Sequence, residues 1–252
     1  MHARSRIMGV ALVLAVVALW CGTAMAAEAG GKPAVLFLGG LNVDDAAKPL
    51  HEMGIELDTC VASNLAAKLE SRKYNVVVPY VQYDKSLQKV LENFMAEGGG
   101  VLVISPIGHI SRQGDWFPNP EWMAENGARI RWETLADSDT NNWFTDSMGA
   151  PLSWSSQVSA PVNEGVRGVL TLVGRLGWWP PVGVDFGPDW QVVVRHASSV
   201  KGVSPDGIPE RLRPYVPKEL STNGPPLMGI RTKGKGRMAM VGVGGSWSLN
   251  GP

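Results

Sequence analysis

Between residues 32 and 106, apolar runs alternate with amphipathic stretches. AVLFLGG starts at Ala34 and leads to a short helix from Pro49 that Gly54 ends; IELDTCV starts at Ile55 and leads to a helix opening at Ser63. NVVVPYV starts at Asn75 and precedes a helix over residues 85–97, after which VLVIS starts at Val101. Short apolar runs separated by helical patterns of about ten residues predict a parallel sheet with helices on its faces. The third helix is the clearest: Leu87, Val90, Leu91, Phe94 and Met95 share one face, Asp84 is placed to cap its start and Gly98 to stop it.

From Gly108 to about Ser156 the pattern changes to Trp, Asn, Asp, Pro and Gly, with one short candidate strand, ARIRWETL, and reads as an insertion or lid. Strands return in GVLTLV, QVVVRHA, LMGIRT and RMAMVGVG; the last two flank KGKG as the arms of an antiparallel hairpin would. Residues 201–226 read as a long loop. The chain stops soon after a strong strand, without a closing helix, which suggests truncation at the C-terminus.

Residues 1–26 carry Arg4 and Arg6, an apolar stretch from Met8 to Trp20 and the small-residue site Ala24-Met25-Ala26, the pattern of a cleaved secretory signal. The apolar stretch is short of the roughly 20 residues a spanning helix needs. The expectation is therefore an exported chain, periplasmic or secreted, free of the membrane once cleaved before Ala27. After cleavage Cys60 is the one cysteine left, so packing and not disulfides must hold the fold, with Cys60 a buried structural thiol. Lys plus Arg and Asp plus Glu both number 23, with no long charge run, which excludes a nucleic-acid footprint.

AVLFLGG, YNVVVPYV, FMAEGGGVLVIS, SAPVNEGVRGV, DWQVVVRHA and PPLMGIRTKGKGRMAMVGVG, in that order, resemble the class I glutamine amidotransferase-like superfamily, in particular its noncatalytic trehalose-utilisation-like and β-galactosidase-middle-domain-like branches. The resemblance implies a flavodoxin-like, doubly wound, mostly parallel sheet, here with a Trp-rich insertion at about 108–156 and the C-terminal hairpin. In the catalytic branches the strand after the glycines ends in a turn bearing a Cys nucleophile between small residues, with a His and a Glu later in the chain. Here Ser105 takes that place between Ile104 and Pro106. Pro106 has no N–H to donate to an oxyanion, and His196 is followed by Ala197 and Ser198 instead of leading to a Glu. Ser105 is read as ending a strand, and the domain as a noncatalytic binding or accessory module linked to carbohydrate handling.

Other constellations are weaker. Asp137, Asp139 and Asn141 alternate like the start of a calcium loop, but Asn142 replaces its glycine and Met148 its bidentate Glu, so a turn with locally bonded Asp side chains is expected and no metal or other cofactor is assigned. Open α/β sheets bind ligands at the carboxyl ends of their strands, which makes Gly40, Asn42, Ser105 and His109 ligand-binding candidates. Trp178 and Trp179 join them, since indole faces beside Asn and Asp suit sugar rings; the competing account is that the tryptophans form a small core for the insertion. A carbohydrate or other small ligand is the expected partner. The rival function is a carbohydrate hydrolase using two of Glu121, Glu125, Glu133, Asp137 and Asp139 as acid and base, and a purely structural assembly module is the third.

Overall fold

The computed structural model describes residues 32–39, 44–71, 73–79, 84–104, 120–131, 133–139, 144–145, 151–155, 157–158, 169–172, 183–203 and 217–242. They fall into two compact units. The first takes the chain up to Val103 together with Arg231–Ala239; the second takes Ile104–Ile230 and resumes at Met240.

The first unit is α/β. Its strands are β1 (Ala34–Leu38), β2 (Glu56–Cys60), β3 (Val76–Pro79) and β4 (Gly100–Ile104), and its helices are α1 (Asp44–Glu52), α2 (Leu65–Glu70) and α3 (Lys85–Ala96). β1 pairs in parallel with β2 and β3, and β3 with β4. The hydrogen-bonded order is β2-β1-β3-β4-β15, where β15 is Gly236–Val241. Every residue of β1, β3 and β4 is buried, and each of these strands reads as a continuous apolar run.

The helix ends follow local chemistry. Asp84 caps α3, its Oδ1 accepting the Leu87 N–H at 2.7 Å, and Leu87, Leu91 and Met95 are buried on the inner face. The three glycines after α3 have separate reasons. Gly98 takes φ 106°, a Cβ on Gly99 would strike the Phe94 ring, and Gly100 opens β4. α1 begins at Asp44, five residues before the expected start, and holds Pro49 within it. It ends in the Schellman arrangement: the N–H of Gly54, at φ 76°, donates to the His51 carbonyl at 2.9 Å and that of Ile55 to the Leu50 carbonyl at 2.9 Å, with Leu50 and Ile55 both buried.

β2 is the outermost described strand of this unit. Asp58 on it accepts Lys68 Nζ at 2.9 Å and the Tyr74 hydroxyl through Oδ2, and the Thr59 N–H at 2.8 Å through Oδ1. Hydrogen bonds from Lys68, then Tyr74, hold its pKa down to about 2. Cys60 closes β2 half-buried and free, less enclosed than expected, and burial raises its thiol pKa.

The second unit holds more strand than the sequence pattern suggests. After α4 (Pro120–Glu125), β5 (Ala128–Ile130) pairs antiparallel with β11 (Val184–Phe186), and β6 (Thr134–Asp137) with β13 (Val200–Val203). β7 (Phe144–Thr145), β8 (Pro151–Ser155) and β10 (Val169–Leu172) form a three-stranded sheet, while β14 (Pro226–Lys233), β12 (Gln191–Arg195) and β9 (Gln157–Val158) are neighbours in that order. The one strand expected near ARIRWETL is two, and residues 201–203, expected as loop, belong to β13. Trp122 and Trp190 are core: Trp190 Nε1 donates to the Asn126 carbonyl at 2.8 Å and its ring lies 5.0 Å from that of Phe186. β14 and β15 flank a two-residue turn, Gly234-Lys235, with Gly234 at φ 63°, the hairpin that KGKG predicts.

Candidate functional site

Gly40, Asn42, Ser105, His109, Trp178 and Trp179 lie outside the described residues. The strands leading to four of them are described. β1, β3 and β4 run parallel, so Leu38 and Ile104 end at the same edge of the sheet, and Ser105 follows the buried Ile104 directly.

A cleft of about 290 Å³ opens within the second unit, between Arg131, Asp185, Arg195 and residues 219–226. Its foundation is a buried carboxylate. Glu133, in the link between β5 and β6, has a side chain that is 0% exposed. Arg131 Nε donates to its Oε1 at 2.8 Å, the Ser221 N–H donates to its Oε2 at 2.7 Å, and the Ser221 hydroxyl donates to Oε1. Burying a charge is tolerated only with a paired and hydrogen-bonded partner set of this kind. Two glycines make room for it. A Cβ on Gly183 would lie 2.9 Å from Oε1, and one on Gly202 would overlap Oε2 outright.

The two other nitrogens of Arg131 find partners inside the same structure. Nη1 reaches both Asp185 oxygens at 3.1 Å and Nη2 donates to the Glu219 carbonyl. Burial opposes its charge, but the hydrogen bond and charge of Glu133, aided by Asp185, outweigh it and raise its pKa. Asp185 is brought there by the β5–β11 register, in which it stands opposite Arg129.

The loop before β14 is thus held at Ser221, and it is held again three residues on. The Gly202 N–H donates to the Ser221 carbonyl at 2.8 Å and the Gly224 N–H to the Val200 carbonyl at 3.1 Å. Between these anchors the chain turns through Asn223 at φ 61° and Gly224 at φ 65°. Asn223 is the one non-glycine residue at positive φ among the described residues, and Asn tolerates that region better than most. A Cβ on Gly224 would collide with the His196 carbonyl. Thr222, Asn223 and Arg195 are left exposed around the cleft. His196 itself is fully buried behind the turn, and burial lowers its pKa to about 3, so it stays neutral.

Sequence reasoning did not single out Arg131, Arg195, Ser221, Thr222 or Asn223. The signal that could have found the turn is Asn223-Gly224, a dipeptide suited to paired positive φ values. Of the carboxylates weighed as acid and base, Glu121 and Glu125 are exposed, Glu133 is fully engaged, and Asp137 is buried with Oδ1 accepting the Asp139 N–H at 2.9 Å, the local bond expected of that turn. Among the described residues no three His, Cys, Asp or Glu side chains gather where they could hold a metal ion.

No family model matches the chain, and no curated protein sequence matches it. Among solved structures it is similar to the mmIFT52 N-terminal domain, with a TM-score of 0.57 at 10% identity over 83% of this chain and 85% of that one. It is also similar to a ThuA-like protein from Bacteroides uniformis, with a TM-score of 0.41 at 13% identity over 86% of this chain and 87% of that one. A third similarity is to a GH42 β-galactosidase from G. stearothermophilus, with a TM-score of 0.46 at 13% identity over 84% of this chain and 28% of that one. What the first of these likenesses shows is the fold: a mixed sheet with helices, in the α/β arrangement of the mmIFT52 N-terminal domain.

Proposed function

We propose that this chain is a noncatalytic amidotransferase-like module that is exported and binds a carbohydrate or other small polar ligand, without acyl-transfer chemistry of its own. The observation that carries the reading is the end of β4. Its buried run Gly100–Ile104 passes straight into Ser105-Pro106, where a catalytic relative would need a nucleophile between small residues followed by a free N–H. The finer architecture in this reading is flavodoxin-like and doubly wound with a Trp-rich insertion. Gly40, Asn42, Ser105, His109, Trp178 and Trp179 would supply ligand contacts, the first four from the edge where β1 and β4 end. The engagement of Glu133 by Arg131 and Ser221 argues against its serving as a hydrolytic acid or base.

The test is direct. Purified protein should release no ammonia from glutamine, Ser105→Ala should leave that result and the fold unchanged, and Trp179→Ala should weaken binding of an oligosaccharide read by tryptophan fluorescence. Ammonia release abolished by Ser105→Ala overturns the noncatalytic reading. Absence of any fluorescence change across a polysaccharide panel removes the carbohydrate reading. A mature N-terminus other than Ala27, or retention in the cytoplasm on fractionation, removes export.

A further inference from the structure

The cleft of the second unit shares no residue with that sheet edge, and its donors are distributed unevenly. Each nitrogen of the Arg131 guanidinium already has a partner: Nε has Glu133, Nη1 has Asp185 and Nη2 has the Glu219 carbonyl. Arg195, at the end of β12 on the same cleft, is exposed, and neither a carboxylate nor a carbonyl among the described residues takes its guanidinium. Thr222 and Asn223 stand exposed between the Ser221 and Gly224 anchors, so the turn presenting them is fixed before any ligand arrives. A preset turn lowers the ordering cost of binding. Asp185 and Glu219 also line the cleft, and their side chains accept hydrogen bonds but cannot donate them when ionised.

We propose that this cleft is a binding site for a hexuronate, a sugar unit bearing a carboxylate. Arg195 takes the carboxylate through the planar fork that fits it. Thr222 and Asn223 hydrogen-bond ring hydroxyls from the turn, and the Asp185 and Glu219 carboxylates accept from others. A neutral sugar leaves Arg195 unmatched, and a bare carboxylate leaves Thr222, Asn223 and the two carboxylates unused. At about 290 Å³ the cleft lies at the lower limit of ligand sites, which run from roughly 300 to 1,000 Å³, and so suits one sugar unit.

Titration of the full chain with glucuronate, glucose and acetate, followed by amide chemical shifts and by calorimetry, decides the matter. Glucuronate should bind roughly tenfold more tightly than either of the others, shift the amides of Thr222 and Asn223, and lose about tenfold in affinity in Arg195→Gln, the scale of one charge-assisted hydrogen bond pair. Asn223→Gly, which keeps the turn conformation and removes the amide group, should weaken glucuronate severalfold without unfolding the protein. Equal binding of acetate and glucuronate, equal binding of glucose and glucuronate, or an Arg195→Gln variant with unchanged affinity overturns the proposal. Trp179→Ala should leave glucuronate binding unaltered, so failure here and failure of the sheet-edge reading are separately visible.

Discussion

Glu133→Gln is the sharpest perturbation of the second unit, because it keeps shape and removes one charge. The carboxylate accepts three hydrogen bonds, from Arg131 Nε and from the N–H and hydroxyl of Ser221. An amide has one accepting oxygen, so its NH₂ must face either the Ser221 N–H or the Arg131 side, donor against donor. A buried donor left unsatisfied costs about 1 to 3 kcal/mol, and breaking a buried ion pair costs about 3 to 5 kcal/mol. Arg131 keeps Asp185 and the Glu219 carbonyl and is 17% exposed, which places the loss at the lower end of that range, about 3 kcal/mol. Ser221→Ala removes only the hydroxyl and should cost about 1 kcal/mol. Urea unfolding followed by the fluorescence of the buried Trp122 and Trp190 reads both. A Glu133→Gln protein within about 0.5 kcal/mol of the parent would refute the view that this carboxylate holds the loop, since surface changes fall in that band.

Acid should destabilise the protein before any carboxylate of low pKa is involved. His196 is held neutral by burial with a folded pKa of about 3 against an unfolded value of about 6.5, so the unfolded chain binds the extra proton between those limits. Its contribution is full above about pH 6.5 and declines as pH falls towards 3; Asp58, depressed to about 2, matters only below its unfolded value near 3.8. The loss of urea midpoint from pH 7 to pH 4.5 should therefore shrink in His196→Gln, and an identical slope in that variant counts against the assignment. Gly202→Ala, whose Cβ would overlap Glu133, should cost far more stability than Gly54→Ala, where open space leaves only the strain of φ 76°, about 1 kcal/mol. Equal melting temperatures for the two variants would contradict the packing around Glu133.

The first unit was legible in the sequence because its determinants are local. Asp84, the α3 stripe and the Gly98 stop lie within fifteen residues of one another, and β1, β3 and β4 are each a single apolar run. Pro49 misled the α1 boundary: proline suits a first turn, yet the observed helix holds it at its sixth position. The cleft was illegible for the opposite reason. Glu133 and Ser221 meet across 88 positions, and Arg131 reaches Asp185 across 54, so no window of sequence holds both partners. Residues 201–203 look like loop because Lys and Gly dominate them, yet antiparallel pairing with β6 makes them a strand, tertiary pairing overriding local preference.

Asp58 has a consequence for how the protein behaves in concentrated or acidic solution. Glu56 donates inward to the Pro33 carbonyl, so by the alternation of a strand the Thr59 N–H points away from β1, and Asp58 Oδ1 occupies it. An approaching strand from another molecule finds that donor taken and meets the Asp58–Lys68 and Glu56–Lys73 ion pairs. The guard lasts as long as the carboxylate stays ionised, down to about pH 2. Neutralisation of His196 as a buried group fails at a higher pH than that, so on acidification this chain loses stability while its outer strand is still protected. Loosening and sheet-to-sheet self-association are thereby separated along the pH axis.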